Sequence, residues 1–113
     1  MEPELPGRVR PVIATTLRFL TKTFPTPMNL QYITKADDKG MLVFSDGVHT
    51  MKCTVGDSYK KLFQNNRFEN NKIFTVFQAT RERKPPHMVT LTNMMVAPKH
   101  SQVEGQIGQP IPF

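Results

Sequence analysis

The sequence predicts an all-β fold with short helices, a small five-stranded Greek-key barrel. Three observations carry that prediction. Prolines gather at the two ends, Pro3, Pro6, Pro11, Pro25 and Pro27 before the middle and Pro85, Pro86, Pro98, Pro110 and Pro112 after it. Proline donates nothing to a sheet ladder, so the proline-free stretch from Met28 to Lys84 is where pairing is expected to be densest. Within and just beyond that stretch, short apolar runs alternate with polar residues at the period of a half-buried strand. The runs also come in a telling order: helix, three strands, helix, two strands.

The first element follows Pro11, which suits the opening position of a helix. Val12, Ile13, Thr16, Leu17 and Leu20 fall on one helical stripe, although the β-branched content keeps this helix short. Met28 to Thr34 reads as a strand with Leu30 and Tyr32 on one face. The polar turn 35–40 leads to Met41-Leu42-Val43-Phe44, an almost wholly apolar strand. Ser45-Asp46-Gly47 signals a tight turn, since Gly accepts positive φ and Asp tolerates it. The third strand alternates cleanly, with His49, Met51, Cys53 and Val55 on one side and Thr50, Lys52 and Thr54 on the other.

Gly56-Asp57-Ser58 then introduces a helix, with Asp57 or Ser58 as its cap and Tyr59, Leu62 and Phe63 as its apolar stripe. An Asn-rich stretch ends it. Ile73 to Thr80 is the fourth strand, Arg81 to His87 a charged, proline-stiffened hairpin loop, and Met88 to Val96 the fifth strand. Five short strands with a helix between the third and fourth is the layout of the OB-fold. The expected domain is 1–100, with 101–113 as a polar tail or the start of a linker.

Composition bounds the function. One domain fits in 113 residues. The single cysteine, Cys53, forbids an internal disulfide and suggests a reducing compartment. No apolar run approaches the ~20 residues that span a bilayer, so no membrane partner is expected. The net charge is +6, and it is uneven. Residues 48–103 hold nine bases against three acids, whereas 1–47 are nearly balanced. Such a field attracts polyanions, although a merely soluble basic surface accounts for it as well.

A family resemblance now enters. Leu42-Val43-Phe44-Ser45-Asp46-Gly47 and the alternating strand after it resemble the strand–turn–strand of the N-terminal domain of the replication protein A large subunit. Ile107-Gly108-Gln109-Pro110-Ile111-Pro112-Phe113 resembles the run that ends the same domain, and Leu5-Pro6-Gly7 with Val9 and Ile13 resembles its opening. The likeness spans nearly the whole chain, and a telomere-dedicated paralogue of that subunit would look much the same. The first loop is shorter here, with Asp37 and Asp38, and the opening carries Pro6 and Pro11. The resemblance implies a nuclear, non-catalytic module. Its basic groove would dock acidic amphipathic segments of replication, repair and checkpoint proteins. It would touch single-stranded DNA weakly and meet the other subunits of a heterotrimeric complex through the rest of the chain.

Carried over by position, the groove lies between the strand after Gly47 and the hairpin from Thr80 to Met88. Arg81, Arg83, Lys84 and His87 are the main candidates, because guanidinium and ammonium groups on one hairpin grip carboxylates or phosphates. The alternative is a solvated hairpin tip. Lys52, beside Thr54, stands on the solvent side of its strand, and Lys35 and Lys39 flank the first hairpin as a possible rim. Val55, Met88 and Thr90 are candidates for an apolar floor, methionine being easily repacked around varied partners. Tight single-strand binding needs exposed rings. Tyr32, Phe44, Phe74 and Phe77 alternate as core residues and Phe24 is the spare, which favours an acidic protein partner over DNA. The alternative is direct single-stranded or telomeric DNA binding by the same groove. His49 and Cys53 share a face without forming a dyad, and no metal-ligand spacing or phosphate loop occurs, so neither catalysis nor a cofactor is expected.

Overall fold

The computed structural model describes residues 5–19, 21–36, 40–65 and 68–113. In chain order, α1 is Ile13–Leu17, β1 Met28–Lys35, β2 Leu42–Ser45, β3 His49–Val55, α2 Asp57–Gln64, β4 Ile73–Arg81, β5 Val89–Val96 and β6 the short Ile111–Pro112. Single 3-10 turns lie at Pro6–Arg8 and Lys99–Ser101. The strands run β2-β1-β4-β5-β3, and a further β2–β3 pairing closes the ring. Within the ring all pairs are antiparallel except β3 with β5, where Thr54 faces Thr90 and Val55 faces Leu91; β6 adds to β3 in parallel outside it. The molecule is therefore a closed five-stranded mixed barrel with two short helices, consistent with the OB-fold. Closure leaves no long free sheet edge in the ring.

The inward faces fill the barrel. Leu30 and Tyr32, Phe44, Met51 and Cys53, Phe74 and Val76, and Val89 and Leu91 are all buried. Phe63 of α2 sits among Tyr32, Phe44, Phe68 and Phe74, with ring centroids 4.9–6.1 Å apart, edge-on to Tyr32 and Phe44 and tilted to Phe68 and Phe74, with none stacked face to face. Gly56, rather than Asp57 or Ser58, occupies the cap position of α2. Asp57 instead pairs with Lys60 one turn on, at 3.1 Å.

Asp46 is fully buried, and both of its oxygens are saturated. Oδ1 accepts from the Val48 and His49 amides at 2.9 and 2.8 Å. Oδ2 accepts from the Val12 and Ile13 amides at 2.7 and 2.8 Å. The turn residue of the second hairpin thus also satisfies the otherwise unpaired N–H groups that open α1.

Two corrections concern the ends and β4. Residues 101–113, expected as a tail, are built into the structure. Ile107 is buried with Val9, Ile73 and Ala97 in a second small core outside the barrel. Buried Gln31 donates to the carbonyls of Asn71 and Gly105 and accepts from the Ile107 amide. Gln102 likewise ties Ile73 and Ala97. Two of the three stretches carrying the resemblance meet in space at Gly47 and Gly108. A Cβ on Gly108, whose φ is +64°, would lie 2.7 Å from the Gly47 carbonyl oxygen, so glycine is needed for that contact.

In β4 the register slips at Phe77, which is left out of the pairing between Val76–Met94 and Gln78–Asn93. A matching slip on β5 follows, because Ala79 next faces Leu91. Phe77, expected in the core, is 44% exposed, and Phe24, expected as the spare ring, is buried. With Phe74 and Val76 inward, alternation turns Phe77 outward, and the slips beyond it bring Ala79 opposite Leu91.

A candidate binding groove beside the hairpin

A groove of about 780 Å³ runs between two walls. One wall is the β2–β3 hairpin, with Val43, Thr50, Met51 and Lys52. The other is the β4–β5 hairpin, with Arg81, His87, Met88 and Val89. Leu17 of α1 and Pro112–Phe113 close its ends. The groove exists because the register places Val43 beside Lys52 and Phe44 beside Met51, so Lys52 looks outward where Met51 looks in. Lys52 is exposed, Met51 is buried, and His87 and Met88 are half-buried. The surface is thus apolar at its base and cationic at its rim.

Lys52, Arg81, His87 and Met88 are brought together here as the sequence suggests. Arg81, however, is not a free cation. Its guanidinium donates to the carbonyls of Thr16, Phe19 and Lys22, at 3.3, 2.5 and 3.2 Å. The paired slips turn Arg81 to the same side as Ala79, toward the end of α1, so it stitches that helix end to β4. His87 has φ +57° and is held by its amide on the Lys84 carbonyl, 2.8 Å, with Nδ1 3.1 Å from the Glu82 carbonyl.

The other candidates lie elsewhere. Lys35 and Val55 line a separate pocket of about 260 Å³ between the first hairpin and α2. Met41 lines both pockets and so divides them. Val55 is 1% exposed and belongs to the core, because it shares the inward face of Cys53. Lys35 donates to the Gln64 carbonyl at 3.3 Å. Thr54 donates to the Gly40 carbonyl at 3.5 Å and sits where β5 covers the end of β3. Thr90 faces Thr54 in that same parallel pairing, away from the groove floor. Arg83 belongs to a neighbouring cleft with Lys22, Phe24 and Glu82. Lys84 is exposed at the hairpin tip. Lys39, with Asp37 and Asp38, lies outside the described residues.

Sequence reasoning missed Leu17, Val43 and Phe113 as groove residues. Phe113 is placed by the β3–β6 pairing: its amide donates to the Thr50 carbonyl at 3.0 Å. Its ring stands edge-on to His49, with centroids 5.6 Å apart. The Ile-Gly-Gln-Pro run was the available signal, read only as a family mark.

Cys53 is wholly buried, and that burial pushes its thiol far above its ordinary range. A thiol kept protonated is neither a nucleophile nor a metal ligand. Among the described residues no group of three His, Cys, Asp or Glu side chains is placed to hold a metal ion, and no helix is long and apolar enough to cross a membrane. Compared with known proteins, the chain matches no protein-family model and no curated protein sequence.

Proposed function

We propose that this domain is a non-catalytic protein-interaction module of a nuclear, replication-protein-A-like single-stranded DNA-binding protein. Its groove takes an acidic amphipathic segment that becomes helical on binding. The observation that carries this reading is the pairing of an apolar base, Leu17, Val43, Met51 and Met88, with the exposed Lys52 on one wall and His87 on the other. A short amphipathic helix needs both, apolar anchors on one face and carboxylates meeting cations at the edge. Opposite charge speeds encounter, and the anchors slow departure. The resemblance of the Ser45-Asp46-Gly47 and Ile107 to Phe113 stretches to the large-subunit family supports the same assignment to replication, repair and checkpoint recruitment.

One observation favours direct single-strand contact in the same groove as a second reading. Phe113 is 54% exposed there and offers one stacking ring. Fluorescence anisotropy separates the two. Labelled acidic amphipathic peptide and labelled oligothymidylate are titrated at about physiological salt. The expected result is peptide binding that Lys52→Glu weakens at least about tenfold, since a charge reversed by two units at a rim the peptide covers is worth more than a surface pair. Tight oligonucleotide binding lost on Phe113→Ala, with no peptide binding, selects the second reading.

A further inference from the structure

We infer that a second face, on the outside of β1, β4 and β5, is a binding site for single-stranded nucleic acid, separate from the groove. Its cations come from outside the barrel. Val9 is wholly buried, so its neighbours Arg8 and Arg10 both stand outward. They share a cleft of about 540 Å³ with His100, Asn29 and Thr75. No acidic side chain lines it among the described residues.

The backbone that carries Arg8 is fastened to the barrel. Asn29 donates to the Gly7 carbonyl at 2.9 Å, and its own oxygen accepts from Thr75 at 2.8 Å. This relay fastens the segment before Arg8 to β1 and β4. Gly7 also lies so near Ser101 that a Cβ there would sit 3.0 Å from its carbonyl oxygen. The turns carrying Arg8 and His100 are therefore pressed together. Thr75 faces Met95 across the β4–β5 ladder, and the slipped residue Phe77 follows two positions on. Met95 is 55% exposed and Phe77 44%. Alternate residues of a strand lie ~7 Å apart on one face, so an open ring and an open thioether adjoin the arginine cleft.

Cations near an exposed ring on the outer face of the barrel suit a strand whose phosphates meet guanidinium and whose base stacks on Phe77. An amphipathic helix wants a concave apolar trough, and this cleft is lined instead by Asn29, Thr75 and Ser101 among prolines.

The test is anisotropy of a labelled oligothymidylate of about 12 nucleotides with the 113-residue chain, in roughly 50 mM salt and above. Arg8→Ala with Arg10→Ala is expected to weaken binding at least about tenfold and to flatten the log–log salt slope by about 1.4, at ~0.7 per lost phosphate contact. Phe77→Ala is expected to cost roughly 5- to 150-fold, and Phe77→Trp to retain affinity. Lys52→Ala, in the groove, is expected to change it less than about twofold, so failure of the groove proposal does not touch this one. Three results overturn it: no binding at low salt, binding that depends on Lys52 and not on Arg8 and Arg10, or arginine-dependent binding of polyglutamate with the oligonucleotide indifferent to both Phe77 variants.

Discussion

Asp46 joins two distant stretches of chain through four buried amide hydrogen bonds. Asp46→Ala leaves those donors without an acceptor, each costing about 1–3 kcal/mol if it stays dry. The expected loss is at least about 3 kcal/mol in urea denaturation, with an unchanged slope. Cys53 gives a pH signature. Its folded thiol is held above its ordinary 9.0, so the stability it contributes is complete below that value and falls as pH rises past it, where only the unfolded chain ionises. Between pH 9 and 10 the fall is expected to approach about 1.4 kcal/mol per pH unit and to be absent in Cys53→Ala, read by denaturation at stepped pH. Burial also raises the Tyr32 phenol, so its share is lost the same way above its ordinary 10.0. Arg81 shows why residue type alone misleads. In sequence it stands with Arg83 and Lys84 as a ligand-gripping cation, yet it binds three carbonyls of its own chain.

Elements were legible where local pattern and burial agree. The clean alternation of β3 survives, with Met51, Cys53 and Val55 inward and Lys52 outward. The stripe of α2 buries Phe63 as its spacing requires. The pattern failed past Phe77 in β4 because a bulge is a register event between two strands, and one strand's sequence does not contain it. Only part of the candidate site was legible for a related reason. Lys52, His87 and Met88 follow from strand parity and hairpin position, while Lys35, Thr54 and Val55 depend on how the barrel closes around α2 and β5. The final stretch looked like a polar tail since its ties, through Gln31 and Gln102, are side-chain hydrogen bonds without periodicity. Gly108→Ala forces a side chain into positive φ and onto the Gly47 carbonyl. It is expected to cost roughly 1–3 kcal/mol in thermal or urea unfolding.

At the scale of the molecule, a closed barrel presents two cationic surfaces built by different means. The groove takes its charge from strand parity and a hairpin. The outer face takes it from terminal segments strapped over β1 and β4. An excess of charge in residues 48–103 points to the first and is silent on the second, whose arginines lie in the balanced part of the sequence. Both surfaces are expected to weaken with salt, the groove less, because its apolar base is unscreened. The groove's role is tested most directly by a two-dimensional amide NMR titration with an acidic amphipathic peptide at about physiological salt. Binding there moves the amides of Val43, Thr50, Lys52, His87, Met88 and Phe113 together, and leaves those of Arg8, Arg10 and Phe77 in place. Shifts confined to the outer face, or none at saturating peptide, contradict it.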